Sequence, residues 1–504
     1  MFCMSLDETI LATAMPRITD EFQSLGDVGW YRSSYLFVLA AVQMIWGKLY
    51  TLYPTKWIFL LGLVIFELGS LVCGLAPSSG ALIGGRVVAG LGAGSIEAGT
   101  VIIIMDTVPL RKRPIYLGVL GCVHGIATVA GPLLGGALTD HVTWRWCFYI
   151  NLPLGSIAFL IILTLLRTKS NTPSSSHLSA KEKLMSMDLL GALFFTPAVI
   201  TLLLALQYGG SEYSWGNWRI IVLFTLSALL LATFAGVQIW AKERASIPPD
   251  LLCNRNMLAV IWYSTFSHGA LFVFTYYLPL WFQAVKGATA TTSGLEILPT
   301  ELGLVVTGLG AGVLVSIIGF HTPFMIVSSV ISSIGAGMLS TLYPTSGLGP
   351  CLGYQLLLSV GLGLGIQNTM LVPQVEFIGD NAIMAISMLA FLETLSASIS
   401  LAIGDSVFRN RLETLVQEMV PSVNASILTE GTALVQDNIP PALLPSVLAA
   451  YSLSITETFY IGVAMCALSF LGSVSLQWKS IKDEMPTDTA TRRCDDTRPA
   501  GDET

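Results

Sequence analysis

The chain predicts an all-α, polytopic membrane protein, and three observations carry that prediction. Of 504 residues, 53% are hydrophobic. Only 11% are charged, where a soluble chain carries about 25%. Long apolar runs recur from end to end, each near the ~20 residues that cross a bilayer core as a helix, and mean hydropathy is +0.71. Inside that core a backbone must satisfy its own polar groups, which favours helices for runs of this length. The net charge of −7 decides little, because the placement of Lys and Arg sets orientation. Eight cysteines are scattered without metal or disulfide spacing.

Fourteen candidate spans follow in order, centred on 1–16, 31–50, 57–76, 81–104, 114–138, 145–166, 189–208, 218–240, 257–282, 293–319, 322–342, 350–372, 382–404 and 456–476. Seventeen of the 25 Lys and Arg then fall on one side, among them Arg111, Lys112, Arg113, Lys181, Lys242, Arg255 and Lys479. The positive-inside rule makes that side cytoplasmic, and an even number of spans puts both termini there.

The first span reads as membrane helix rather than cleaved leader, and it holds Asp7 and Glu8. The second ends in GKLYTLYPTKW, Gly47 to Trp57. The fourth contains LIGGRVVAGLGAGSIEAG, with Arg86 the sole basic residue deep in any span. Burying that charge costs several kcal/mol, so a partner or a water-filled cavity is expected. Glu97 lies eleven residues on, about 1100° round the helix and therefore on the same face. The glycines mimic a dinucleotide loop, but no strand precedes them.

The fifth span carries GVLGCVHGIATVAGPLLGG, Gly118 to Gly136. Its glycines and internal proline would break a soluble helix. In a membrane they permit close helix approach. His124 within it reads as structural rather than titrating. Trp144 to Pro153, WRWCFYINLP, reads as an interfacial anchor opening the sixth span. Residues 167–187 are polar and Ser- and Lys-rich, a linker before two further spans.

In the second half, Gln367 and Asn368 sit among glycines in the twelfth span. They serve either helix packing or contact with a substrate. The thirteenth span carries Glu393 and, near its end, Asp405. Residues 405–455 read as a long external loop with a short amphipathic helix and a glycosylation sequon at Asn424. The tail from 479 to 504 is polar.

These blocks resemble the major facilitator superfamily, and in particular its fourteen-span drug:proton antiporters. Gly118, Gly131, Pro132, Gly135 and Gly136 match the antiporter signature of the fifth helix, with Ala127 where that signature has glycine. Leu82, Arg86, Gly90, Gly92 and Ala93 fit the fourth-helix signature, with Ala89 in place of glutamine. Asp7, Thr9, Ile10 and Pro16 resemble the family's first-span pattern, and GKLYT resembles the loop of fungal toxin exporters. That loop departs from the superfamily's: Thr51 replaces its acid, Leu52 its base and Pro54 its glycine. Tyr276–Gly287, Ser293–Pro299 and Thr322 onward resemble blocks of the same exporters. Family members carry more apolar residues before Asp7, which implies either a chain that begins inside its first span or a defective first span, the former being favoured.

The resemblance implies two six-helix bundles, 1–166 and 256–478, joined by a linker and two extra helices over 167–255. It implies a monomeric plasma-membrane efflux transporter of a small lipophilic secondary metabolite, toxin or drug, driven by proton antiport. Asp7 and Arg86 are the first choice for the coupling pair, then Glu97 and Glu393. The expected partners are the substrate, protons and the lipid bilayer, with no cofactor, metal or nucleic acid. A vacuolar importer of basic amino acids and a non-transporting sensor are the rival readings. An enzyme would need a clustered catalytic set, and no metal motif, Ser-His-Asp grouping or P-loop is present.

Overall fold

The computed structural model describes residues 1–24, 27–166, 182–183, 186–210, 212–241, 246–247, 249–288, 290–420 and 443–482. Among them the main elements are α1 (Phe2–Phe22), α2 (Val28–Leu52), α3 (Thr55–Leu75), α4 (Ser79–Thr107), α5 (Arg113–His141), α6 (Asn151–Leu165), α7 (Leu189–Tyr208), α8 (Trp218–Ala241), α9 (Arg255–Lys286), α10 (Leu298–Ile318), α11 (Thr322–Leu339), α12 (Leu348–Thr369), α13 (Asp380–Met419) and α14 (Leu444–Ser475). No strand is present among the described residues, only isolated bridges at Gly209–Tyr213 and Phe320–Ser480.

Thirteen helices of the described residues are long and apolar enough to cross a membrane. The helix α1 is not one of them. It runs for 21 residues but carries Asp7, Glu8, Arg17, Asp20 and Glu21. It is nonetheless packed along α5, so tertiary contact rather than hydropathy holds it in place. Within the first group α3 lies on α4, α2 on α4 and α1 on α5. Within the last, α9 lies on α14 and α13, and α12 on α10 and α11. The groups meet where α5 touches α10 and α2 touches α13, while α7 packs on α8 and α2.

Alternation of the helices defines two ends. The near end holds the α2–α3 and α4–α5 turns and the segment after α14. The α10–α11 turn, also at the near end, is three residues long because Gly319 adopts φ 98°, a left-handed conformation that favours glycine. Thr55 at the start of α3 donates to Asp106 near the end of α4 at 2.8 Å. Arg113 ties the next turn by donating to the carbonyls of Val108 and Met105. The Thr55 bond ties the loop that holds Thr51, Leu52 and Pro54 to the end of α4.

Two sequence expectations change. The thirteenth span does not end at 404: α13 continues unbroken to Met419, and α14 begins at Leu444 rather than near 456. Of the expected 405–455 loop, the ends are therefore helical. RNRLETLVQEMV is the last part of α13, not a separate surface helix, because Leu412, Leu415 and Val416 join Val447 and Tyr451 of α14 in a shared core. Asn424, most of the 167–187 linker and the tail beyond 482 lie outside the described residues.

Candidate functional site

Asp7 and Arg86 form an ion pair with each side chain 1% exposed. The fourth-helix glycines let Arg86 reach it: a β-carbon at Gly90 would fall 2.5 Å from the carbonyl of Tyr35, so α4 lies directly against α2 there. Arg86 Nε donates to the Tyr31 carbonyl at 2.9 Å, and the guanidinium stands 4.3 Å from the centre of the Tyr35 ring. Asp7 also accepts from Asn151 Nδ2 at 3.4 Å, and the same amide reaches Ser70 at 3.3 Å. The charge expected to need a partner therefore has one, hydrogen-bonded on two sides and stacked on a third.

Glu97 lies on the α2-facing side of α4, as its spacing from Arg86 requires, and accepts from Gln43 at 3.0 Å. Glu8 is half-buried and within electrostatic range of Asp7, Arg86 and Arg32. His124 of α5 is exposed, yet its Nδ1 lies 2.9 Å from the hydroxyl of buried Ser5. His124 and Glu97 thus stand on one wall of the space between the halves, facing the half that holds α9 and α13. On the opposite wall Glu393 of α13 accepts from Ser264 at 2.6 Å and Thr369 at 3.1 Å, and lies 3.4 Å from His268. Glu97 and Glu393 lie within electrostatic range of each other across this space, as do His124 and His268.

Glycines close the space toward the near end. Added β-carbons at Gly118 and Gly125 of α5 would meet Leu309 and Val305 of α10. One at Gly312 would fall 2.3 Å from the Pro114 carbonyl, and one at Gly47 would strike Ser387. Farther along α5, Gly131 and Gly135 press instead on Thr9 and Thr13 of α1. Ala127, fully buried, offers its carbonyl to Thr9 at 3.4 Å. Pro132 interrupts nothing, since α5 is continuous through it. Gly136 has open space where a β-carbon would stand. The α5 glycine block thus faces two partners: Gly118 the other half, Gly131 and Gly135 the helix that bears Asp7.

Gln367 lies against Gly121 of α5, at the junction of the halves. Asn368 does not line the space; it is 2% exposed and donates to the Leu364 carbonyl of its own helix. Asn151, Tyr35, Gln43 and His268 escaped the sequence reading. The first sits in a block that reads as an interfacial anchor, and Trp144 and Arg145 do anchor there, both bonding Glu21. Two cavities lie apart from these groups. An apolar one of about 30 Å³ lies between α2, α7 and α8, and an open cleft of about 510 Å³ lies at the far end around Arg17, Asp140 and Arg145.

Residues 1–401 match the family described as the Major Facilitator Superfamily. The chain belongs to that superfamily. Its members are transporters rather than enzymes, and the multi-pass helical architecture is theirs. The chain is 58% identical over 481 residues to the MFS-type transporter ungB of Aspergillus violaceofuscus, covering 95% of this chain and 88% of that one. It is 47% identical over 483 residues to the efflux pump roqT of Penicillium rubens, covering 96% and 89%. In fold it is similar to the human organic anion transporter MFSD10 (TETRAN), with a TM-score of 0.59 at 12% identity, covering 92% of this chain and 97% of that one. The proton:xylose symporter XylE gives 0.54 at 14% identity, covering 92% of each.

Proposed function

We propose that this superfamily member is a fourteen-span efflux transporter. In this reading α1 is the additional span, and α1–α6 and α9–α14 are the two halves, with α7 and α8 inserted between them. It exports a small lipophilic secondary metabolite, toxin or drug in exchange for protons, as a monomer in the plasma membrane with both termini cytoplasmic. The efflux names of its relatives support the direction.

The buried Asp7–Arg86 pair carries the coupling argument. Arg86 holds the Asp7 carboxylate while the two are in contact. A rearrangement that draws the guanidinium away leaves Asp7 to take a proton, and restoring the pair expels it. The near end, closed through glycine, is cytoplasmic by the charge rule, so this conformation faces outward. Alternating access would then rock the halves about the α2–α13 and α5–α10 seams.

The test is accumulation of candidate metabolites in cells with and without the protein, repeated with a protonophore. Extra accumulation in cells lacking the protein, and the same rise in expressing cells on adding protonophore, is the expected result. Equal accumulation with and without the protein for every metabolite would favour the sensor reading. A protein found on the vacuolar membrane that moves lysine or arginine would favour the importer.

A further inference from the structure

The space between the halves has titratable groups on both walls, and the coupling argument uses only the pair inside the first half. The opposite wall holds a second arrangement whose hydrogen bonds fix where protons sit. Glu393 Oε1 accepts the Ser264 hydroxyl at 2.6 Å and the Thr369 hydroxyl at 3.1 Å. Its other oxygen lies 3.4 Å from His268 Nε2. The far nitrogen of that ring, Nδ1, lies 3.2 Å from the Ser264 carbonyl and 3.4 Å from the Ser264 hydroxyl.

A backbone carbonyl only accepts. The Ser264 hydroxyl has one hydrogen, and the 2.6 Å contact commits it to Glu393. Nδ1 therefore faces acceptors and must carry a hydrogen. A neutral imidazole with hydrogen on Nδ1 turns a lone pair on Nε2 toward Oε2. Two lone pairs facing each other repel, so this geometry asks for one more proton between Nε2 and Oε2.

We infer that His268 and Glu393 form a dyad that shares one exchangeable proton, a second proton site belonging to the α9–α14 half. Its part in transport rests on the antiport reading; its proton does not. The dyad is half-buried at the space between the halves. Across that space His124 and Glu97 lie within electrostatic range of it. Tyr263, next to Ser264 in α9, is hydrogen-bonded to Ser328 and lies within electrostatic range of Cys466 of α14. Each half then owns one proton site made of a carboxylate and a nitrogen base, Asp7 with Arg86 and Glu393 with His268. They differ in chemistry: a guanidinium keeps its proton, whereas an imidazole can surrender one.

The test is nitrogen-15 NMR on full-length protein in lipid, labelled at its five histidines. The His268 resonances are those lost in His268→Gln. Nδ1 should be protonated throughout, and Nε2 should carry the shared proton and lose it as pH rises. In Glu393→Gln the amide N–H can donate to Nε2, which should then stay bare at every pH. A hydrogen on Nε2 with Nδ1 bare would overturn the inference. So would a His268 titration identical in Glu393→Gln. Asp7→Asn should leave this titration in place. A dyad that titrates in a protein that moves no protons would defeat the antiport reading alone.

Discussion

Gly131 of α5 stands so close to Thr9 of α1 that a β-carbon would fall 2.0 Å from the threonine hydroxyl oxygen. Nothing larger than hydrogen fits unless α1 moves, and α1 carries Asp7. Gly131→Leu should therefore abolish export, because overpacking costs roughly 1–3 kcal/mol or more and shifts the helix holding the ion pair. Gly136→Leu, which meets open space, should keep most of the parent's activity. Export rates normalised to folded protein decide between them. Full export by Gly131→Leu would remove the packing argument.

Arg86→Lys should fail despite keeping the charge. The guanidinium meets Asp7, the Tyr31 carbonyl and the Tyr35 ring at once, and an ammonium cannot match that planar geometry. Arg86→Ala should cost more, on the order of 3–5 kcal/mol, by leaving a buried carboxylate without its partner. Apparent melting temperature in detergent measures both. Asp7→Asn should lose uphill export but retain downhill exchange. Glu8, 100° round the helix from Asp7, is half-buried and near the same charges, so Glu8→Gln should disturb export less than Asp7→Asn but not leave it untouched.

Asn151 bridges Asp7 and Ser70, and its effect should depend on charge more than size. Asn151→Ala should cost roughly 1–2 kcal/mol, the scale of a buried hydrogen bond. Asn151→Asp should do worse, since it sets a second carboxylate beside Asp7. Equal melting temperatures and equal pH profiles for the two variants would show that Asn151 does not sense the Asp7 charge.

His321, in the turn between α10 and α11, is 2% exposed. Burial lowers its pKa to about 4, with Lys479 adding to the effect and Glu376 opposing it. The unfolded chain then binds a proton that the folded one refuses, so stability rises with pH across that window. It is fully present above the unfolded value near 6.5 and falls by roughly 3 kcal/mol as pH drops toward 4. His321→Gln should flatten that part of the melting-temperature profile. An unchanged slope would assign the acid sensitivity to other groups.

Reporter tags should place both the tail beyond 482 and position 175 in the cytoplasm, and a tag near 430 outside. A cytoplasmic report from 430 would break the span count.

The ion pair was legible because two opposite charges in apolar spans, at compatible depths, have few other ways to be satisfied. The glycine signature was legible as a packing surface, though not which glycine meets which helix; that depends on long-range geometry no spacing encodes. Asn151 was hidden inside an aromatic block whose neighbours do sit at an interface. His268 was hidden because a histidine on an apolar helix is ordinarily structural, and its partner lies 125 positions away. The length of α13 was missed for a different reason. Hydropathy reports where the bilayer ends, and α13 continues past that point because α14 rises beside it.

That extra length has a mechanical meaning. Forty residues at ~1.5 Å each make a rod of ~60 Å, about twice the thickness of the hydrocarbon core. Arg411 near its tip is clasped to Glu457 of α14, so the projecting part moves with its own half. A rocking of about 10° about the near end would sweep the tip through roughly 10 Å. The helix is thus a lever that magnifies a small rotation within the membrane into a large displacement outside it. A pair of spin labels, one at Glu418 and one on the far-end turn before α6, would read the position of that lever directly.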